Sequence, residues 1–280
     1  MEYPEYLEDT TRRTGSIICM GMDPLLELIP EEGPTGDRIF RFYETILSEI
    51  RKRGHYPGAV KPNYAFYAQY GLEGIETLRR LCDLYRSENI PVILDAKRGD
   101  IGKTARAYAM ESFDFFNADA VTLSPYMGFD SIEPYMEMFP EKGYYLLTRT
   151  SNPGASEVQN IDSGGKPLYL RIAERIVSWY RPGLGSVVGA TAPSELSDII
   201  DCFSNASLRV PLLIPGVGSQ GGDLTTVLTI LSNHGTTSLH RINSSSGINY
   251  AYRQHAGMHY AEAAVTALAE LNETTADYVS

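Results

Sequence analysis

The chain reads as an α/β protein, a single (β/α)8 (TIM) barrel over residues 1–280, and three observations lead there. Short apolar runs alternate with longer stretches of helical spacing eight times. No linker or low-complexity stretch interrupts the series. A length of 280 residues suits one barrel, an architecture that runs to roughly 250 residues as one unit. Repeated βα units call for a parallel sheet, and eight of them call for closure. Periodicity alone leaves a doubly wound open sheet as the alternative.

Ser16–Met22 (SIICMGM) is the first strand, followed by an amphipathic helix over Asp37–Arg51 with Ile39, Tyr43, Ile46 and Ile50 on one face. Gly58–Lys61 is the second strand, with Leu72, Ile75, Leu78 and Cys82 in helical step across Gly71–Arg86. Pro91–Asp95 (PVILD) is the clearest strand, and Gly102–Phe116 the helix after it. Asp119–Ser124 and Ser131–Phe139 make the fourth pair; Tyr144–Thr148 and, after a long polar loop, Lys166–Tyr180 make the fifth. Ser186–Gly189 precedes a helix over Pro193–Ser204, whose proline suits a first turn. Val210–Ile214 with Leu224–Leu231, then Thr237–Ile242 with an Ala-rich helix over Gln254–Leu271, complete the set.

Composition narrows the function. The balance of 24 Lys+Arg against 35 Asp+Glu leaves −11, which argues against a nucleic-acid surface while permitting a small basic pocket. Three widely spaced cysteines, Cys19, Cys82 and Cys202, read as reduced thiols, with no disulfide framework or zinc set. The acidic start MEYPEY lacks the features of a signal peptide, and no run approaches a membrane span. A cytoplasmic, soluble chain is expected. His255 and His259, four apart in the last helical stretch, have no carboxylate partner and read as ordinary helix residues. No metal site or cofactor is expected.

A barrel places its chemistry at the carboxyl ends of its strands. That rim would collect Asp23, Lys61, the run Asp95-Ala-Lys97-Arg98-Gly99-Asp100, Ser124, Thr150 to Asn152, Pro215 to Gly222 and Ser244 to Gly247. Asp95 and Lys97, two apart on an extended segment, would project together. With Lys61 and Asp100 they would form an array of two cations and two carboxylates, each holding its neighbours ionised. Such an ammonium steadies a developing carbanion and can protonate it, as loss of CO2 requires. Gly216-Val-Gly218-Ser-Gln220-Gly221-Gly222 satisfies G-x-G-x-x-G, a weak signal for a dinucleotide. After the seventh strand, however, and with Ser244–Gly247 after the eighth, it predicts a phosphate pocket.

These blocks, namely GMDP (Gly21–Pro24), KPN (Lys61–Asn63), LDAKRGDIGKTA (Leu94–Ala105), RTSNPGA (Arg149–Ala155) and PGVGSQGGD (Pro215–Asp223), resemble the orotidine 5′-phosphate decarboxylase family, in its longer prokaryotic form, and occur in family order. The resemblance implies a cofactor-free homodimer converting orotidine 5′-monophosphate to UMP and CO2 in de novo pyrimidine synthesis. It implies Lys97 as proton donor to C6, Asp95 against the substrate carboxylate, and Lys61 completing the charge array. Asp23 would bind a ribose hydroxyl and Ser151 the pyrimidine. Pro215, Gly216, Gly218 and Gln220, with Ser245 and Ser246, would surround the phosphate. Asp100 and Thr104 would complete the partner subunit's site.

One departure stands out. The family pattern resembles N-S-S-R-G after strand 8, whereas this chain has Asn243-Ser244-Ser245-Ser246-Gly247. Ser246 occupies the place of a phosphate-binding arginine, and Arg241 or Arg253 is the available substitute. Two rival readings remain: a metal-dependent sugar-phosphate decarboxylase or aldolase, which would want an acidic ligand where Lys61 stands, and a catalytically silent nucleotide-binding barrel.

Overall fold

The computed structural model describes residues 1–218, 221–235, 237–255 and 257–279. A helix the sequence reading did not anticipate comes first: α1 (Tyr3–Thr14). Its apolar positions are few, and its signals are local. Pro4 lies in the first turn, the Glu5 carboxylate accepts from Glu2 N at 3.1 Å, and Gly15 ends the helix at φ +68°.

The eight anticipated strands follow: β1 (Ile18–Met22), β2 (Ala59–Pro62), β3 (Ile93–Arg98), β4 (Ala120–Leu123), β5 (Gly143–Arg149), β6 (Leu184–Val188), β7 (Leu212–Pro215) and β8 (Arg241–Ser244). Every pairing is parallel, in the order β2-β1-β8-β7-β6-β5-β4-β3. Two parallel bridges, Val60 to Val92 and Asn63 to Asp95, carry β2 round to β3. The sheet therefore closes as a barrel and the open-sheet alternative is set aside.

Between the strands run α2 (Thr35–Arg53), a short α3 (Tyr64–Ala68), α4 (Gly71–Ser87), α5 (Gly102–Met110) with a π-helical turn over Glu111–Phe115, and α6 (Glu133–Met138). Next come α7 (Ala155–Gln159), α8 (Leu168–Trp179), α9 (Pro193–Asn205), α10 (Leu224–Asn233), α11 (Ser246–Asn249) and α12 (Tyr260–Val279). The last helix starts six residues later than the periodicity predicts: a 3-10 turn over Ala251–Arg253 comes first, and Gly257 adopts φ +85°. His255 and His259 accordingly precede the helix instead of sharing its face. Thr237–Leu239 is likewise a 3-10 turn, so β8 begins at Arg241 and not at Thr237.

Two apolar cores result. The larger packs the outer face of the sheet against the helices. The smaller fills the barrel interior with Cys19, Ala59, Ile93, Ala120, Tyr145 and Leu213, and α1 adds Tyr3 and Leu7 to it. Strands covered on both faces explain the unbroken apolar runs of the sequence.

The α1 helix is the barrel's floor. Tyr3 and Tyr145 hydroxyls meet at 3.2 Å, and Thr11 donates to Ser238 O at 2.9 Å. Arg241 is wholly buried there, donating to the carbonyls of Gly58, Ser238, His240 and Leu7 at 2.6–3.2 Å. Four carbonyl acceptors at the amino end of β8 hold this guanidinium away from the rim. It is no substitute for a phosphate-binding arginine, a correction that follows from β8 starting later than the sequence predicts.

Candidate active site

The carboxyl ends of the strands enclose a cavity of about 550 Å³. Its charged wall comes from β2, β3 and β4. Lys61 and Asp95 are only 5% and 7% exposed. Lys61 Nζ donates to Asp95 Oδ2 at 2.8 Å, and Lys97 Nζ to Asp95 Oδ1 at 2.6 Å. Thr122 adds a hydrogen bond to Asp95 Oδ1 at 2.9 Å, while its own oxygen accepts from Lys97 N at 2.9 Å. Asp95 is thus a carboxylate bridging two ammonium groups, its remaining lone pairs met by a hydroxyl.

Electrostatics follow from that geometry. Burial by itself raises the Asp95 pKa, but Lys61 and Lys97 together outweigh it and hold the carboxyl well below its ordinary range. Burial likewise works against the Lys61 ammonium, and the Asp95 charge overrides it, raising the pKa above that of a free lysine. Lys97 differs from Lys61 in access: half of its side chain (50%) is exposed. One lysine is built into the wall and the other faces the ligand space.

Lys97 reaches Asp95 from a bulged backbone, not from the regular extended segment that the spacing predicts. Its backbone lies in the left-handed region at φ +47°, and the β3–β4 register shifts between Leu94 and Arg98. The bulge separates neighbouring charges. Arg98 turns away into a bidentate pair with Glu111 at 2.9–3.1 Å and lies over the Tyr64 and Tyr108 rings.

The wall changes character around the barrel. Leu147, Val187 and Leu213 give β5, β6 and β7 an apolar sector. Above it stand Ser151 and Thr150, the latter tied to Gln159 of α7 by bonds of 2.8 and 2.9 Å. The β8–β1 sector is polar: Ser245 donates to Asp23 Oδ2 at 2.5 Å, and Asn243 lies beside them.

Of the residues singled out in the sequence, Asp23, Lys61, Asp95, Lys97, Ser151, Pro215, Gly216 and Ser245 line this one cavity. Asp100, Thr104, Gly218 and Ser246 are not on its wall. Asp100 Oδ1 accepts from Ile101 N at 2.8 Å, and Thr104 is exposed. The expected four-charge array is therefore three charges within one chain. Gly218 faces an adjoining cavity of about 360 Å³ with Ser244 and Gly247. Its amide donates to Gly222 O at 3.1 Å, so that N–H is engaged within its own loop. Gln220 lies outside the described residues. Arg253 is exposed on its turn.

Thr122, Gln159 and Asn243 escaped the sequence reading. Thr122 had a usable signal, since it is two residues after Ala120 on a strand whose alternate residues face inward. Gln159 had none, because α7 lies in a stretch read as polar loop.

An eight-stranded parallel barrel carrying a buried carboxylate between two lysines at its mouth is a barrel lyase site, arranged around negative charge on its ligand. The family model for orotidine 5′-phosphate decarboxylase / HUMPS matches residues 16–270. The chain belongs to this family. It is 42% identical over 260 residues to the orotidine 5′-phosphate decarboxylase of Cupriavidus taiwanensis, covering 91% of each chain, and 42% identical over 253 residues to that of Herpetosiphon aurantiacus. Among solved structures it resembles Leishmania donovani OMP decarboxylase, with a TM-score of 0.79 and 31% identity over 100% of this chain and 99% of that one. Leishmania donovani UMP synthase gives 0.81 and 33%, the whole of this chain covering 57% of that longer one.

Proposed function

We propose that the chain decarboxylates orotidine 5′-monophosphate to UMP and CO2, using its own side chains in place of a metal or organic cofactor, as a cytoplasmic homodimer. The Lys61–Asp95–Lys97 array carries this reading. As the bond from C6 to the carboxylate breaks, CO2 departs and the electron pair stays on C6. The Lys97 ammonium stabilises that carbanion and then donates the proton that forms the new C6–H bond. Half-exposed, Lys97 can regain its proton from solvent. Asp95, kept ionised, holds Lys97 in place and meets the substrate carboxylate with like charge, a ground-state effect whose catalytic share is contested.

Remaining roles follow the walls. The pyrimidine lies against Leu147, Val187 and Leu213 beneath Ser151, the ribose near Asp23, and the phosphate toward Gly216 and Ser245. Asp100 and Thr104 serve the partner subunit's cavity. Exposed apolar side chains near Asp100 support a partner on this face: Ile101 (45% exposed), and Tyr126 and Met127 on the β4 loop, which Gly99 abuts at Ser124. Among the described residues no helix is long and apolar enough to cross a membrane.

The direct test is the absorbance change of orotidine 5′-monophosphate with no added metal and with chelator present. Turnover should persist, and Lys97→Ala should lower it by on the order of 10³-fold or more. Activity abolished by chelation would favour a metal-dependent relative, and UMP binding without turnover a silent barrel.

A further inference from the structure

The register between β3 and β4 leaves an interval that one side chain spans. Leu94 stands opposite Val121 and Arg98 opposite Leu123, so Asp95, Ala96 and Lys97 all fall against a single residue of the neighbouring strand, Thr122. Thr122 is 1% exposed and belongs to the cavity wall together with Asp95 and Lys97.

Chemistry fixes the direction of each hydrogen bond here. Asp95, ionised between two ammonium groups, can only accept, so the Thr122 hydroxyl gives its one proton to Asp95 Oδ1 at 2.9 Å. Its oxygen remains an acceptor and takes the Lys97 N–H at 2.9 Å. Lys97 Nζ returns to the same Asp95 Oδ1 at 2.6 Å. Amide, hydroxyl, carboxylate and ammonium thus close a ring that fastens Lys97 at both ends. The amide bond acts where the backbone stands at φ +47°, a conformation that persists only when its surroundings hold it.

We infer that Thr122 is a positioning residue whose hydroxyl aims the Lys97 ammonium, by fixing at once the backbone of Lys97 and the carboxylate on which its ammonium rests. The inference rests on the decarboxylation proposed above and gives a role to a residue outside the charged motif. Thr122 neither gives nor takes the transferred proton; it acts through Lys97 and Asp95. A reacting group displaced by about 1 Å can lose about 10²-fold in rate, whereas substrate binding draws on the other walls as well.

Steady-state decarboxylation of orotidine 5′-monophosphate by Thr122→Val and Thr122→Ser tests it. Valine keeps the shape and loses the hydroxyl; serine keeps the hydroxyl and loses the methyl group. Thr122→Val should lower kcat by about 10- to 100-fold with KM changed by less than about threefold, and Thr122→Ser should hold kcat within about threefold. A role in packing alone predicts the reverse order. That reverse order, equal kcat in the two variants, or a loss carried by KM would overturn the inference. Should the valine variant not fold, Thr122→Ala beside Thr122→Ser isolates the hydroxyl, since both lack the methyl group, and the same kcat ratio is read. No turnover by the unaltered protein would bring down the decarboxylase reading and this inference with it, while full turnover by Thr122→Val would remove the inference alone.

Discussion

Lys97 holds two properties in tension. Its ammonium is the reacting group proposed above, and its backbone occupies a region that side chains rarely adopt. A non-glycine residue at φ +47° costs roughly 1 kcal/mol relative to glycine. The cost is accepted because the bulge turns Lys97 inward onto Asp95 and sends Arg98 outward to Glu111. An unstrained strand would alternate these residues without separating Lys97 from the β4 ladder, where its N–H instead meets the Thr122 hydroxyl. Lys97→Gly and Lys97→Ala lose the same ion pair, and at φ +47° the strain that glycine relieves outweighs its greater freedom in the unfolded chain. The glycine variant should therefore be more stable by about 1 kcal/mol in urea unfolding. Equal midpoints at equal slope would show that position 97 is not strained.

At the scale of elements, the phosphate end is built from two turns after β7 and β8. Gly216, Gly218 and Gly221 all take positive φ, and a Cβ on Gly222 would meet Gly216 O at 2.6 Å, so this loop is tight and needs its glycines. Described charges there are few: the cavity's cations are Lys61 and Lys97, and both answer to Asp95. With Arg241 bound into the floor, Ser246 at the first turn of α11 is the natural place to add one. A guanidinium on a phosphate is among the stronger charge-assisted contacts, and remote binding of this kind can be used to organise the reacting centre. Ser246→Arg should raise kcat/KM for orotidine 5′-monophosphate by roughly tenfold. No gain, together with a ligand complex showing the phosphate already held by another arginine, would refute the deficit.

Across the whole molecule, the two ends of the barrel have different tasks. The floor carries stability, and His240 makes it pH-dependent. This imidazole is buried and accepts from Leu212 N at 3.1 Å; burial, with Arg241 adding to it, lowers its pKa to about 3. The unfolded chain takes up a proton near pH 6.5 while the folded one refuses it until about 3. Between those values the unfolded state binds more protons, so stability falls as pH falls, by up to roughly 1.4 kcal/mol per unit. His240→Asn keeps an acceptor for Leu212 and removes the titration. Its stability curve should be flatter than the unaltered protein's between pH 6 and 4, whereas parallel curves would exclude His240 as the source. The mouth carries function, and the reading proposed above has a second subunit complete it. If Asp100 serves the partner's cavity, Lys97→Ala and Asp100→Asn proteins, each nearly inactive, should regain activity when mixed and allowed to exchange subunits, because hybrids hold one intact site. No recovery in demonstrated hybrids would place Asp100 in its own subunit's chemistry.

The amino-acid sequence by itself determined the alternation of eight strands with helices, since apolar period and turn residues are local properties of a chain. It also placed Asp23, Lys61, Asp95 and Lys97 at strand ends, because a barrel with known strand order has only one rim on which such residues can meet. Tertiary structure alone decided the rest. Arg241 looks from the sequence like a spare cation near the phosphate loops. Only the packing of α1 under the barrel, with four carbonyls turned toward one guanidinium, shows it committed to the floor. Asn243 looks like one polar residue in a Ser-rich turn, and only the closed barrel shows it buried on the cavity wall. Asp100 shares a motif with Lys97 yet stands off the cavity of its own chain, beyond the register shift between Leu94 and Arg98. Hydrogen-bond satisfaction and side-chain direction depend on what other segments bring, and no window of sequence contains them.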